Sequence, residues 1–498
     1  MIKRKPAICR KNADGPRSER LTFFMQAYII TIDCRRLRGT AKRPRAARFD
    51  RIVNALYNGA TGLAKRKGWV KMAKVYIRAG MSPLEPISVS EAIQKNAFLL
   101  NSGNLVFQYS VFRTLMRDDT QFIVRTTEQV LQTPGELERI QQECDFAIFP
   151  LANAFRKDYN LKQDTEFIRR VKIPCVVIGC GLQARKPEDI AKGFSFDEDV
   201  RAFVSAVLDK SAMLGLRGEY TAEYFKRLGF APERHFTVIG CPSFFLHGPE
   251  MPAPRLTQIN RETRFSFNTR ALQPEAMDRV LARAEAQYPN YHLVLQLRRE
   301  LAMLAFGTLR AHMKPNSDKS GHYPYTRFHR DVRNKKAIAF TSARAWFDYM
   351  HTIDYSFGSR FHGNAAAFIN GTPAFVVTSD TRTEELCRYG QVAHMRMSDL
   401  TPDSDVRDLL EKADFSGVCR GHAQRFSHYL DFLNQNGVPH IYSETLHPKT
   451  VPFDEAIRRQ REYGRVYRGC LPAGTALLNG IRLYADALRK HLHKTVAI

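Results

Sequence analysis

The sequence predicts an α/β protein with two doubly wound domains that face a cleft, a basic N-terminal extension and a helical C-terminal segment. Three observations support this prediction. The chain has 498 residues, which is far more than one hydrophobic core usually supports. Short apolar segments alternate with amphipathic helical segments over most of its length. Hydrophobic residues make up 44% and charged residues 25% of the chain, the ordinary composition of a globular protein.

The first 80 residues are the most basic part of the chain. They hold 21 Lys and Arg against 4 Asp and Glu, a net charge of +17, so that only +9 of the total +26 is left for the other 418 residues. Residues 1–85 are therefore predicted to form a basic N-terminal extension. A segment of this kind is a solvated tail, the result of a start codon assigned too far upstream, or a contact surface for anionic membrane or nucleic acid.

The apolar runs of the sequence indicate where the protein is located. Its cysteines and histidines indicate whether it binds a metal. The longest apolar run near the N-terminus, residues 21–32, is about 12 residues long, whereas a membrane-spanning helix needs about 20. The nine cysteines form no CxxC pair, and the 15 histidines include no HExxH motif. We therefore predict a cytoplasmic protein with reduced thiols and no metal site, which reaches at most the inner face of the membrane and has no nucleic-acid partner.

The first α/β domain is predicted at 86–247. A loop of turn-forming residues precedes it, and the segment 102–115 begins with a glycine turn and continues with apolar residues at helical spacing. Short apolar segments separated by amphipathic helices are typical of parallel strands covered on both faces; they lie at 146–151, 174–181, 212–218 and 236–242.

A second domain with the same rhythm is predicted at 264–430. Residues 248–263 contain three prolines and almost no apolar periodicity, which is typical of a linker. Two Rossmann-like halves that face a cleft form a GT-B-like arrangement, in which ligands bind at the carboxyl ends of the strands. Residues 431–498 are predicted to be a C-terminal extension with helical segments. The strand candidates of the second domain lie at 264–270, 291–298, 336–341, 353–360 and 372–380.

The densest group of chemistry-bearing residues follows the strand candidate 353–360. Arg360 and His362 are two positions apart, so both side chains leave an extended backbone on the same side. Arg360 offers a fork of donors to a carboxylate or phosphate, and His362 titrates near neutral pH and can move protons. Gly363 opens a helix whose N-terminal N–H groups favour an anion. The alternative interpretation is a structural arginine and a buried histidine with satisfied hydrogen bonds.

Asp380 and Arg382 end the next strand candidate, at the same edge of the predicted sheet. They are therefore expected to face the same cleft as Arg360 and His362. Asp380 can orient a cation or act as a base, or it can serve only as the cap of the helix that follows.

Residues 355–390 resemble the signature of polysaccharide pyruvyl transferases. The resemblance rests on the SRFHG sequence at 359–363, the small-residue helix after it, the NGTP turn at 370–373, and the aspartate and cation at 380 and 382. It implies a GT-B-like fold, phosphoenolpyruvate as the donor, and a cyclic pyruvate ketal formed on a sugar of a surface polysaccharide or of its lipid-linked precursor. It implies no metal and no tightly bound cofactor.

Looser matches to the family lie in the first domain. The stretch at 215–230 resembles a family element in which a strand is followed by Arg, then Asp-x-x-Ser and a helix. Arg217 is the matching arginine, but Gly218 and Thr221 stand where Asp and Ser are usual. In the second domain Arg382 stands where the family commonly has Lys, which keeps the charge but changes its shape.

Three further segments of the first domain are similar to family turns. Asn101 and Asn104 lie in a turn that resembles Asn-x-Gly-Asp, with Asn104 in place of the acid, so that this position cannot supply a general base. Gly181 lies in a glycine turn after a strand and can let backbone approach a ligand. Cys241 lies in a glycine-proline loop and is predicted to be a small buried side chain rather than a nucleophile.

These matches lead to an expected site. His362 and Asp380 are expected to carry the catalysis, and the donor is expected to be held by Arg217, Arg360, Arg382 and Gly363. The substrate contacts are expected at Asn101, Asn104 and Gly181. Two other functions remain open: a GT-B glycosyltransferase that uses a nucleotide sugar, and a non-catalytic basic protein that binds nucleic acid or anionic membrane.

Overall fold

The computed structural model describes residues 73–271, 273–308, 323–460 and 464–496. The chain separates into two compact units, Met1–Lys71 and Met72–Ile498, and all the elements below belong to the second. What residues 1–71 contact lies outside the described residues.

The first half of this unit is a parallel sheet that is covered on both faces. Consecutive side chains of its first strand enter different buried clusters, Val75 and Ile77 on one face and Tyr76 on the other. The strand order is β2-β1-β3-β4, continued through a bridge between Cys180 and Leu216 to β5 and β6. The strands are β1 (Ala73–Arg78), β2 (Thr120–Arg125), β3 (Phe146–Pro150), β4 (Cys175–Ile178), β5 (Leu214–Leu216) and β6 (Phe236–Val238). The helices are α1 (Val89–Gln94), α2 (Asn104–Leu115), α3 (Thr127–Gln132), α4 (Glu136–Glu143), α5 (Leu161–Arg170), α6 (Asp189–Lys192), α7 (Asp197–Leu208) and α8 (Glu219–Arg227).

The second half is a seven-stranded sheet of order β12-β11-β10-β7-β8-β9-β13, in which only the last strand is antiparallel. The strands are β7 (Phe265–Asn268), β8 (Tyr291–Val294), β9 (Ala337–Phe340), β10 (Tyr355–Gly358), β11 (Ala374–Thr378), β12 (His394–Arg396) and β13 (Arg465–Val466). The helices are α9 (Glu275–Gln287), α10 (Arg298–Phe306), α11 (Arg330–Arg333), α12 (Ala343–Met350), α13 (Phe361–Phe368), α14 (Thr381–Gly390), α15 (Val406–Glu411), α16 (His422–Gln435), α17 (Pro452–Arg458) and α18 (Ala473–Val496).

The order of the parallel strands in the second sheet defines where a ligand can bind. Numbered from β7, these six strands run in the order 3-2-1-4-5-6, the doubly wound order of a Rossmann sheet. The switch point is therefore between β7 and β10, which pair directly. Connections leave these two strands toward opposite faces, so a crevice opens at their carboxyl ends. The predicted fold class of two Rossmann-like halves with a helical C-terminal segment is confirmed.

One hydrophobic core joins the two halves. Phe107 of α2, Phe244 of the 3₁₀ helix Pro242–Phe245, and Phe361 and Phe368 of α13 belong to one continuous buried cluster. The ring centroids of Phe244 and Phe368 are 5.4 Å apart. Packed aromatic side chains therefore join the two halves below the cleft, as in the interior of a single domain.

The predicted boundary at residue 86 is wrong, because the first sheet begins at Ala73. The strand β1 lies between β2 and β3, and its residues Val75, Tyr76 and Ile77 are buried. Lys74 and Arg78 flank this short apolar run, and the density of basic residues around it hides a central strand within the predicted extension.

The predicted boundary at residue 431 is wrong as well. Helix α16 continues across it, and the side-chain oxygen of Asn436 accepts hydrogen bonds from the backbone N–H groups of Ala212 and Met213 in the first half, at 3.0 and 3.3 Å. Arg113 of α2 forms a bidentate ion pair with Asp454. The C-terminal residues therefore return to the first half of the molecule. No helix among the described residues combines the length and the apolar character needed to cross a membrane.

Candidate active site

A cavity of about 610 Å³ opens at the switch point of the second sheet. Its walls are formed mostly by residues that directly follow β7, β8, β10 and β11, and the first half contributes two polar side chains from the opposite side. The lining residues are Asn101, Arg217, Arg270, Ala271, Gln296, Leu297, Arg299, Ser359, Arg360, Phe361, His362, Ser379, Arg382 and Leu386. Five of these are arginines, so the cavity suits an anionic ligand.

His362 lies in the first turn of α13, partly exposed to this cavity. Its Nε2 atom is 3.5 Å from Sγ of Cys241, and its ring centroid is 5.6 Å from that of Phe107. Burial, and then the charges of Arg217 and Arg382, hold the pKa of His362 well below its ordinary value. The imidazole is therefore neutral at neutral pH when the cavity holds no anion, and it can accept a proton.

Cys241 orients this imidazole from the buried side. The thiol is fully buried, the hydroxyl of Ser243 donates a hydrogen bond to Sγ at 3.1 Å, and a guanidinium nitrogen of Arg217 lies 4.0 Å away. The contact between Sγ of Cys241 and His362 takes up Nε2 on the buried side, so Nδ1 is the ring nitrogen left to exchange protons with a ligand. Proton acceptance at Nδ1 requires the tautomer in which Nε2–H donates to Sγ of Cys241.

Arg217 is the cation that the first half supplies. It is 1% exposed, its Nε atom donates to the carbonyl of Gly179 at 2.6 Å, and its guanidinium lies 5.6 Å from the ring centroid of Phe107. Gly179 has a φ of +69°, and a Cβ atom there would lie 2.8 Å from Pro242. The glycine turn therefore holds the carbonyl that orients Arg217.

Arg360 is held at the opposite wall. Its Nε atom donates to the carbonyl of Thr269 at 2.6 Å, and its Nη2 atom is 3.8 Å from Oε1 of Glu300. Glu300 is fully buried and accepts hydrogen bonds from the N–H groups of Gln296 and Leu297 at 2.9 and 2.8 Å. The carboxylate thus fixes both the guanidinium and the turn after β8.

Arg382 is positioned by Asp380. The Asp380 carboxylate caps α14 by accepting from the N–H of Thr383 at 3.0 Å, and its other oxygen is 3.3 Å from Arg382 Nη2. Burial raises the pKa of Asp380, but Arg382, the hydrogen bonds from Thr383 and the charge of Arg270 outweigh it, so the pKa is lower than usual. Asp380 is ionised and serves as a helix cap and a partner for Arg382.

Four buried donor atoms of lining residues have no hydrogen-bond partner within the described part of the chain. They are Arg270 Nε, Gln296 Nε2, Ser359 Oγ and Arg382 Nε. A buried donor without a partner costs about 1 to 3 kcal/mol, so such a group at a cavity indicates a ligand that supplies acceptors. In the same described ranges, no three His, Cys, Asp or Glu side chains are arranged to hold a metal ion.

A family model described as polysaccharide pyruvyl transferase matches residues 63–381, more than half of the chain. The chain belongs to the polysaccharide pyruvyl transferase family. Membership makes the protein a transferase of polysaccharide formation. A comparison with curated proteins finds no match.

Solved structures similar to this family member show only distant likeness. A functionally uncharacterized protein of Klebsiella pneumoniae is 12% identical, with a TM-score of 0.34 over 71% of this chain and 99% of that one. An Anabaena protein in complex with UDP and glucose is 11% identical, with a TM-score of 0.38 and coverage of 74% and 97%. A UDP-GlcNAc 2-epimerase of Neisseria meningitidis is 11% identical, with a TM-score of 0.37 and coverage of 73% and 100%. Likeness of this size supports no functional argument.

The structure brings five of the predicted site residues of this pyruvyl transferase family member to one cavity. They are Asn101, Arg217, Arg360, His362 and Arg382. The cavity does not bring in the other four, Asn104, Gly181, Gly363 and Asp380, as lining residues.

Three of these four are in close packing beside the cavity. The side-chain amide of Asn104 donates to the carbonyl of Phe98 at 3.0 Å. A Cβ atom at Gly181 would lie 3.0 Å from Cδ of Arg217, and one at Gly363 would lie 2.1 Å from Oδ1 of Asn268. Both glycines therefore allow the close approach of neighbouring polar side chains, and neither position can take a larger residue without displacing them.

The departure from the family pattern at Gly218 has a structural explanation. Gly218 is the N-cap of α8, and the N–H of Thr221 donates to Oε2 of Glu385 at 2.9 Å. A Cβ atom at Gly218 would lie 2.6 Å from Cβ of Glu385. A carboxylate from α14 of the second half thus occupies the capping position that an Asp at residue 218 would take in the family pattern. Burial raises the pKa of Glu385 to about 8, although the hydrogen bonds from Thr221 and the charge of Arg217 oppose this shift.

Sequence reasoning missed five polar residues of the cavity, Arg270, Gln296, Ser359, Ser379 and Arg299. The first four lie one or two positions beyond the ends of β7, β8, β10 and β11, and Arg299 lies in the first turn of the helix after β8. The rule that ligands bind at the carboxyl ends of parallel strands, applied to every predicted strand, would have found these four.

Proposed function

We propose that this protein transfers pyruvate from phosphoenolpyruvate to a sugar of a surface polysaccharide or of its lipid-linked precursor, and that the product is a cyclic ketal. The observation that supports it best is the cavity in which five arginines surround a neutral histidine. Phosphoenolpyruvate carries a carboxylate and a phosphate on a three-carbon unit, so the donor needs several cations within a small volume.

Donor binding is assigned to the cations from both halves. Arg217, Arg360 and Arg382 each present donors to the cavity, and Arg270 and Arg382 have buried Nε atoms that an anionic oxygen can satisfy. A charge-assisted hydrogen bond contributes about 1.5 to 3 kcal/mol. Asp380 and Glu300 keep two of these guanidinium groups in place and leave the cavity with excess positive charge.

Proton transfer is assigned to His362. In the first step an acceptor hydroxyl adds across the C2=C3 double bond of the donor: its O–H bond breaks, a C2–O bond forms, the double bond becomes a single bond, and C3 gains a proton to become a methyl group. His362, neutral at the start, takes the hydroxyl proton and delivers a proton to C3. In the second step another hydroxyl of the same sugar attacks C2, the bond from C2 to the phosphate oxygen breaks, and His362 accepts the second hydroxyl proton while phosphate leaves.

The test is incubation of the protein with phosphoenolpyruvate and a panel of lipid-linked glycans. We expect release of phosphate and a product with the mass of the pyruvate ketal. A parallel reaction with nucleotide sugars distinguishes the GT-B glycosyltransferase alternative, since glycosyl transfer releases a nucleotide instead. Product only in the nucleotide-sugar reaction would overturn the proposal.

A further inference from the structure

Between residues 473 and 486, the last helix, α18, packs on the body with one face. The side-chain amide of Asn479 accepts a hydrogen bond from Gln94 and donates one to Ser90, both at 2.7 Å. Leu483 packs against the main hydrophobic cluster, and Gly480 lies against Phe306 of α10. This face therefore fixes the helix on α1 and α10.

The opposite face of α18 is apolar and exposed. Leu477, Leu478, Ile481 and Tyr484 are 64%, 59%, 57% and 73% exposed. The spacing of 477, 481 and 484 places them along one side of a helix. The described part of the chain has eight exposed large hydrophobic residues, and four of them lie in this eight-residue segment. Such a concentration marks an interaction surface rather than the usual scatter of exposed side chains.

The charged residues of this helix indicate an anionic partner. Arg482 is exposed within the apolar segment, and the helix sequence continues with Arg489, Lys490 and Lys494, whereas its one acidic residue is Asp486. The helix thus carries a net charge of +3 in a chain of net charge +26. An amphipathic helix with large apolar side chains and basic residues is complementary to the interface of an anionic bilayer.

The helix also lies beside the cavity. It packs on α10, whose first-turn residue Arg299 lines the cavity, and the preceding Arg298 donates to the carbonyl of Ile93 of α1 at a short distance. The helix α10 therefore connects α18 to one wall of the cavity.

We propose that α18 docks the protein on an anionic phospholipid surface, with Leu477, Leu478, Ile481 and Tyr484 inserted below the headgroups and Arg482 paired with them. The evidence for docking comes from α18 and does not depend on the proposed function. Its use, which is to bring a lipid-linked acceptor to the cavity, rests on the proposed function.

Vesicle flotation of the full chain tests the docking. We expect binding to vesicles of phosphatidylcholine mixed with phosphatidylglycerol and little binding to phosphatidylcholine alone. The double variant Leu478→Asp, Ile481→Asp should bind the mixed vesicles at least about tenfold more weakly, because it places two carboxylates in the contact. Leu256→Asp is the matched control, since Leu256 is 64% exposed and lies outside α18; it should bind as the wild type does. Equal binding by the double variant and the wild type would overturn the proposal.

A second measurement reports insertion directly. Tyr484→Trp adds a fluorophore to the exposed face, and its emission should shift to shorter wavelength with the mixed vesicles. An unshifted emission would contradict insertion. Light scattering without lipid tests a different occupant: a wild-type dimer that the double variant dissociates would show that a second copy covers this face, and would also overturn the proposal.

The two proposals fail differently. With a water-soluble glycan acceptor, the double variant should turn over as fast as the wild type, whereas with a lipid-linked acceptor in mixed vesicles it should be slower. Absence of ketal product with every acceptor, together with intact vesicle binding, would count against the proposed function and leave the docking in place.

Discussion

The protonation state of His362 depends on the cations around it. Arg217 approaches it from the first half and Arg382 from the second, and both lower its pKa in addition to the effect of burial. An anionic donor placed between these groups compensates their charge, so the imidazole becomes a stronger base when the substrate is bound. Under the proposed function, these three residues couple donor binding to readiness for proton transfer.

Substitution of His362 by Gln should lower kcat by about 10² to 10⁴ and leave the affinity for phosphoenolpyruvate nearly unchanged. The amide preserves the volume but moves no proton, and the arginines still hold the anion. Steady-state kinetics and calorimetric titration give the two quantities. In the wild type the acid limb of kcat/KM should lie well below pH 6.5, because a base loses activity only when it is protonated and the pKa of His362 is lowered. Near-normal turnover in the variant would remove His362 from proton transfer.

Cys241→Ala should lower kcat by about tenfold with an unchanged KM for phosphoenolpyruvate, since one neutral hydrogen bond that fixes the tautomer of His362 is lost. Cys241→Ser should restore most of the rate because a hydroxyl oxygen can also accept from Nε2–H. The imidazole nitrogen shifts of His362 report the tautomer by nuclear magnetic resonance. A tautomer that is unchanged in Cys241→Ala would show that the thiol only fills space.

Arg360→Ala and Arg382→Ala should each weaken the binding of phosphoenolpyruvate at least about tenfold, because each loses one or more charge-assisted hydrogen bonds. Arg217→Ala should do the same, as all three guanidinium groups line one cavity. Calorimetric titration measures the affinity. Unchanged affinity in the two second-half variants would contradict the donor assignment, and Arg388→Ala, an exposed arginine outside the cavity, is the control.

At the residue scale, the sequence identified the site residues that stand in one segment but not those that follow other strands. Arg360, His362 and Arg382 stand in one recognisable segment of 35 residues or so, which is why pattern alone could place them. Arg270, Gln296 and Ser359 follow other strands and have no local motif. The cap formed by Glu385 is invisible in sequence because its partner, Thr221, is 164 residues away.

The helices α8 and α14 meet through that cap. Glu385 accepts from the N–H and hydroxyl of Thr221, and Tyr220 of α8 donates to Glu384 at 3.0 Å. The N–H of Ala184 donates to the hydroxyl of Thr381 at 3.1 Å. These contacts join the helix N-termini of the two halves directly behind the cavity, so the orientation of Arg217 depends on elements of both.

Glu385→Gln should change how stability depends on pH. The pKa of Glu385 is about 8 in the folded protein against an ordinary value of 4.5, so between these pH values the unfolded chain has lost a proton that the folded protein keeps. The contribution of this group to stability is therefore fully present below about pH 4.5 and is lost as the pH rises toward 8, with a slope of at most about 1.4 kcal/mol per pH unit. Chemical denaturation at several pH values should show this fall in the wild type and its absence in the glutamine variant. Parallel profiles for the two proteins would contradict the shift.

Strands could be predicted where a short apolar run lies between two segments with an amphipathic helical pattern. All nine predicted strand segments contain a strand of the structure, including β7, β10 and β11, which carry the site. The missed strands have other surroundings. β1 is embedded in basic sequence, and β2 is partly exposed along most of its length. β12 has three residues, none of them fully buried, and β13 has two residues and exists through its pairing with β9. Tertiary pairing, which a local pattern does not contain, decides such strands.

At the scale of the whole molecule, cooperative unfolding is expected to require the strand β1, which begins at Ala73. Deletion of residues 1–71 should leave a protein that unfolds cooperatively, because the sheet begins at Ala73. Deletion of residues 1–80 should abolish cooperative unfolding, since it removes β1 from between β2 and β3. Thermal unfolding followed by circular dichroism compares the two. Cooperative unfolding of the shorter protein would show that β1 is dispensable.

The return of α16 to the first half has a consequence for synthesis on the ribosome. The strand β5 is translated more than 200 residues before Asn436, whose side chain binds the N–H groups just ahead of that strand. The first half therefore emerges early but lacks part of its packing until most of the chain has been made. Contacts of such long sequence separation form slowly. Nascent chains that stop before residue 436 are expected to remain protease-sensitive in both halves, and protection from protease should appear late in translation, when the final turn of α16 leaves the tunnel.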